Sequence, residues 1–213
     1  MTGYAADVAA LARKDLLLEL RSRDTLPAML LFVVSALVVF HFALPADSST
    51  HAETGLLWIA IVFTALLGLT RAFAAEREQG LLDGLVLAPC DRSAIWLGKT
   101  IGVTAFLVLA ELVALPAFAL FFHAIGWELV AAVALADVGI AAIGTLLAAM
   151  AAASRARELL LPLLFLPLAI PVVIGGVGAS VATNPASFLG FLGLYDAVFA
   201  ILSWASFEYV VTE

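Results

Sequence analysis

Two carboxylates stand inside otherwise apolar runs, Glu111 in T104-A-F-L-V-L-A-E-L-V-A-L115 and Asp137 in A131-A-V-A-L-A-D-V-G-I140. A charge in such surroundings costs several kcal/mol unless it is protonated, paired or hydrated. Each acid therefore either lines a hydrated cleft or a partner-facing surface, or is a protonated acid hydrogen-bonded between helices. Other groups able to do chemistry are few. The single Cys90 can form no internal disulfide and offers no metal-ligand spacing. There is no H-E-x-x-H zinc pair, no G-x-S-x-G nucleophile elbow and no G-x-x-x-x-G-K-[ST] phosphate loop. We therefore expect no catalytic residue, no metal site and no bound cofactor, and any ATP must be hydrolysed by another chain.

The surroundings of those acids identify the solvent. Of 213 residues 64% are hydrophobic and only 13% charged, and a mean hydropathy of +1.14 is far above what a soluble core needs. Apolar windows long enough to cross about 30 Å of hydrocarbon fall at Leu26 to Leu44, Gly55 to Ala75, Thr100 to Phe122, Leu129 to Ala153, Leu159 to Val181 and Ser187 to Phe207. The expected fold is an all-α integral membrane protein of six transmembrane helices, a single membrane domain over residues 1–213. Six spans leave no room for a soluble domain of about 100 residues. The amino terminus lacks the order of a signal peptide, so insertion is expected to rely on the first span. The net charge of -7 gives no reason to expect a nucleic-acid partner.

The basic residues fix the orientation. Arg13, Lys14, Arg21 and Arg23 precede span 1, Arg71, Arg77, Arg92 and Lys99 lie at or between the ends of spans 2 and 3, and Arg155 and Arg157 join spans 4 and 5. Because Lys and Arg are retained on the cytoplasmic side, both termini and these two loops are expected there. Residues 1–25 mix leucines with charges in A9-A-L-A-R-K-D-L-L-L-E-L-R-S-R-D24, as suits either an amphipathic helix lying in the cytoplasmic interface or an ordinary flank. Trp58, Trp127, Trp204 and Tyr195 near span ends are expected to act as interfacial anchors.

Between spans 2 and 3, residues 76–98 form a charged, glycine-punctuated interruption. Leu81, Leu82, Leu85 and Leu87 make an apolar ridge at near-helical spacing that Pro89 ends, bracketed by Glu76, Arg77, Glu78, Asp83, Asp91 and Arg92. Such a segment either rests on the membrane or docks into a groove on a partner and passes its movement to the spans.

The pattern E76-R-E-x-G-L-L-D-G-L-x-L-A-P89, followed by Lys99, resembles the E-R-x-x-G-T-L-E-x-L-x-x-x-P…K segment of ABC-2-type exporter permeases. Within them the chain most resembles the CcmB family, heme exporter protein B of cytochrome c maturation. R157-E-L-L-L-P-L-L-F-L-P-L-A-I-P-V-V-I174 is similar to that family's proline-punctuated fifth span, and the amino-terminal run to its R-K-D-L-x-x-E-x-R-x-R opening. The chain departs where the family often has Thr-Leu-Glu. Here Leu81, Leu82 and Asp83 keep the carboxylate and lose the threonine, a possible helix cap.

The resemblance implies a non-catalytic permease subunit of the bacterial inner membrane, working with a separate ATP-binding subunit and a heme-handling membrane partner, with heme as the possible substrate and a homodimer as one possible assembly. It makes the interruption a coupling helix with Glu76, Arg77, Glu78, Gly80, Leu82, Asp83, Leu85 and Pro89 as its contact set. In span 5, Pro162, Pro167 and Pro171 stand five and four residues apart on nearly one face, followed by G175-G-V-G178. That span is the candidate for a moving or discontinuous helix, or for a static kink that improves packing. His41, His51 and His123 all fall on or near the extracytoplasmic side under this topology. Imidazole is a common axial ligand of heme iron, but loop histidines are usually solvated or capping groups. At 1.5 Å per residue, Glu111 sits about 18 Å above Lys99 and Asp137 about 27 Å above Arg155, which predicts no direct pairing of the two acids. A permease for another small or lipid-like substrate, or a structural assembly subunit, fits the same spans.

Overall fold

The computed structural model describes residues 3–22, 25–45, 47–73, 91–154 and 156–212. All regular structure among them is helical, in the order α1 (Tyr4–Ser22), α2 (Thr25–Ala43), α3 (Thr50–Arg71), α4 (Arg92–Phe121), α5 (Trp127–Ala153), α6 (Arg157–Val181) and α7 (Ala186–Thr212). The six helices α2 to α7 are each long and apolar enough to span a bilayer. The chain is an all-α, multi-pass membrane protein.

Two spans start earlier than their hydropathy suggests, because polar caps extend them. Ser49 accepts the amide of Ala52 at 3.3 Å and starts α3 at Thr50, five residues before Gly55. Asp91 accepts the amide of Ser93 at 2.9 Å and starts α4 at Arg92, eight residues before Thr100. Hydrogen bonds from the hydroxyl and then the amide of Ser93 hold the Asp91 carboxyl below the usual carboxylate range. Arg92 to Gly98, the end of the expected segment 76–98, are thus the first turns of a membrane helix. Glu76, Arg77, Glu78, Gly80, Leu82, Asp83, Leu85 and Pro89 lie outside the described residues.

The helices pack through small residues, as they must where lipid tails are as apolar as the side chains themselves. α5 occupies the middle of the bundle against α3, α4, α6 and α7, presenting the buried Ala132, Ala136, Ala141, Ala142, Ala148 and Ala149. α1 is built into the bundle as well. Its Val8 and Ala12 are buried, and Leu11 lies so close to Gly98 of α4 that a Cβ there would come within 2.8 Å.

Two expected anchors face inward. Trp58 is wholly buried, its indole filling the space that a side chain at Gly176 of α6 would need. Tyr195 is buried too, donating its hydroxyl to the Leu168 carbonyl at 2.8 Å with its ring 4.3 Å from that of Phe199. Glycines on α6 supply these recesses: Gly175 receives Leu192 and Phe191, and Gly178 receives Phe188. Trp127 and Trp204 are exposed. α6 is one unbroken helix through Pro162, Pro167 and Pro171, so the discontinuity considered for it is absent.

Replacing Gly176 by Leu should overpack the Trp58 recess and destabilise the protein by about 1–3 kcal/mol. Gly190, with open space around it, should accept Ala with an unchanged or higher unfolding temperature in detergent. Equal melting of the two variants would remove the Trp58–Gly176 contact as a determinant of stability.

Candidate functional site

The chain's polar chemistry gathers at two levels of α4. The lower level is Lys99, 4% exposed at the end of the bundle that carries α1. Its ammonium lies 3.1 Å from Oδ2 of Asp15 on α1, donates to the Ala72 carbonyl at 2.7 Å, and stands 4.8 Å over the Phe73 ring. Each partner has a local cause. Gly98 and Gly102 are without side chains, so α1 approaches α4 closely enough to bring Asp15 within reach. Ala72 caps α3, and the last carbonyls of a helix have no partner inside it and carry its negative dipole end. The lysine thus joins three elements, α1, α4 and the exit of α3, beside a cavity of about 60 Å³ lined by Asp15, Thr25, Met29, Arg71 and Phe106. The sequence marks Lys99 and Asp15 by the two family motifs, without showing that they meet, whereas Ala72 and Phe73 carry no signal that singles them out.

The upper level is the acid pair. Contrary to the expectation of separated depths, the carboxyls of Glu111 and Asp137 interact directly across α4 and α5. Depth counted from the basic ends misleads because α4 begins well before Lys99. Counted from the turn that joins the two helices, Glu111 lies ten residues before Phe121 and Asp137 ten after Trp127, about 15 Å along each helix. Antiparallel neighbours joined by a short turn share that register. Both acids are buried, and among the described residues no hydrogen-bond donor reaches either oxygen of Asp137 or Oε1 of Glu111.

A third buried acid, Asp196 on α7, also stands in an apolar run. It packs on Gly139 of α5, and among the described residues its Oδ1 has no hydrogen-bond partner.

At the opposite end of the bundle the histidines go to different neighbours. His41 contacts the rings of Phe42, Phe121 and Phe122 at 5.3, 5.4 and 5.7 Å. His123 meets Oε2 of Glu53 through Nδ1 at 2.9 Å, while Oε1 of Glu53 accepts the Ser48 hydroxyl at 2.7 Å. His51 is exposed. Among the described residues no group of three or more His, Cys, Asp or Glu is placed to hold a metal ion. Pro167 lines an open apolar groove of about 450 Å³ between α3 and α6, with Ile59, Phe63 and Ile170. Pro162 and Pro171 stand on the same helix, half-buried, outside both polar levels.

Comparison with known proteins agrees along nearly the whole length. The CcmB protein family model matches residues 6–207. Heme exporter protein B of Rhodobacter capsulatus is 30% identical over 208 residues, covering 92% of this chain and 95% of that protein. Those of Paracoccus denitrificans and Bradyrhizobium diazoefficiens are 31% and 30% identical, covering 86% and 85% of this chain and 88% and 85% of theirs.

Because a buried charge stranded without its partner is the costly species, Lys99→Met and Asp15→Asn should each destabilise the protein, the lysine change by about 3–5 kcal/mol. The double variant should lose less than the sum of the two. Thermal unfolding of the four proteins in detergent measures this, and simple additivity would mean that the pair is not coupled.

Proposed function

The chain belongs to the CcmB family, and from that premise we propose that it is the permease subunit of an ATP-driven heme exporter serving cytochrome c maturation. ATP is hydrolysed by a separate subunit, since this chain has no phosphate loop. The work done is movement of heme, or release of a heme-carrying membrane partner. The protein sits in the bacterial inner membrane with both termini in the cytoplasm, where all ten of its Lys and Arg then fall at or near the cytoplasmic face. Six spans are half of a two-permease exporter, so a second copy or a second membrane subunit completes the pathway.

The observation that carries this reading is the engagement of Lys99. The segment holding Glu76, Arg77, Glu78, Gly80, Leu82, Asp83, Leu85 and Pro89 follows Ala72 at the exit of α3 and precedes α4, whose first residue, Arg92, lies about two turns before Lys99. One ammonium group on the second turn of α4 thus ties that helix to the exit of α3, where the segment begins, and to α1. A force applied to the segment by a nucleotide-driven partner reaches two membrane helices and α1 together. Pro162, Pro167 and Pro171 give α6 the local weakness that lets it follow.

Gentle purification of the tagged protein from its native membrane should recover an ATP-binding subunit and cytochrome c maturation proteins, with ATPase activity. Glu78→Ala combined with Asp83→Ala should lose the ATPase or uncouple its activity from cytochrome c formation. Recovery of the maturation proteins with no ATPase would leave a structural assembly subunit as the better account. An ATPase recovered without maturation proteins would point to a permease for another substrate.

A further inference from the structure

We propose that Glu111 and Asp137 are a proton-binding site within the membrane, one proton being held between the two carboxyls. Asp137 is 1% exposed and Glu111 8%, and an ionised carboxylate can only accept hydrogen bonds. Among the described residues no donor reaches either oxygen of Asp137 or Oε1 of Glu111, while the two carboxyls meet each other. Two acceptors in contact with nothing to donate repel. A single proton turns the same contact into a short O–H···O bond that satisfies both. Burial closes the alternative of leaving the charges to water.

No other group on the packed elements can take the proton's place. Among the described residues, α1 and the start of α4 carry their charges at the Lys99 end, about 18 Å along α4 from Glu111. α3 has His51 and Glu53 at the far end and Arg71 at the Lys99 end, and α2 has only His41, near its last residue. α6 has no titratable residue between Leu159 and Val181. Asp196 of α7 is turned onto Gly139 and does not act on the pair.

A second feature points to the same ligand. Glu111 also lines a cavity of about 10 Å³ with Val33, Ile61, Thr64, Leu107, Ala110 and Ala114, roughly the room of one water molecule. Thr64, whose hydroxyl donates to the Ala60 carbonyl at 2.7 Å, leaves lone pairs for such a water. Glu111 thus stands between a water-sized chamber toward α2 and α3 and the Asp137 carboxyl. The exchange is a protonation alone: the proton arrives from water and returns to water, and no other bond changes. A shift of α4 along α5 breaks the shared bond, so proton binding and helix movement are linked.

The test is infrared spectroscopy of the full-length protein in detergent, reading the carbonyl stretch of protonated carboxyl groups. At neutral pH the Asp196→Asn variant, which removes the third buried acid, should show this band, shifted in D2O and lost as one proton per chain when the pH rises. Added to that variant, Glu111→Gln and Asp137→Asn should each lose it, because the new amide donates to the remaining carboxylate without a proton. In that background, absence of the band, release of two protons, or a band that survives in both amide variants would overturn the shared-proton site. Loss of the band on adding sodium at constant pH would show a cation site in its place. Should neither amide variant fold, the Asp196→Asn titration decides by the proton count alone.

Discussion

An ammonium group as buried as that of Lys99 has to find its hydrogen bonds inside the protein, and the arrangement of one end of the bundle follows from where it finds them. Three donors reach for a carboxylate on α1, the closing carbonyl of α3 and the face of an aromatic ring. Glycines at 98 and 102 make the first reachable, and the end of a helix provides the second. The result is that α1, which composition alone could place on the membrane surface, is held against α4 by a charge as well as by Val8 and Ala12. The same demand recurs higher on α4, where an acid meets another acid.

The large-scale plan was legible in the residues. Six windows of hydrocarbon length become six helices, and the R-K-D-L run becomes a helix of its own. Hydropathy placed span interiors well and span starts poorly, because Ser49 and Asp91 extend α3 and α4 into polar sequence that a running average excludes. Trp58 shows a different limit. Its position near a span end suggested the interface, but the deciding residue is Gly176, which is 118 residues away in sequence and opens the recess that the indole fills.

The acid pair was misread for a geometric reason. Its two members were each measured from a basic residue assumed to lie at a common surface, whereas Lys99 is drawn into the protein and lies two turns inside α4. The turn between Phe121 and Trp127 is the better ruler, since both helices leave it together. Asp15 stands in the R-K-D-L motif, but its pairing with Lys99 depends on which face of α1 meets α4.

The alanine-rich face of α5 has a consequence for the making of the protein. During synthesis α5 enters a membrane that already holds α2, α3 and α4, but its most extensive contact is with α7, the last helix of the chain. Until α7 arrives, that flank, small in side chain and carrying the Gly139 recess, faces lipid with shallow notches and nothing to fill them. The central helix is therefore the last to be completely enclosed. The interval between its insertion and the arrival of α7 is when an unfinished chain is most exposed to quality-control proteases and to wrong neighbours.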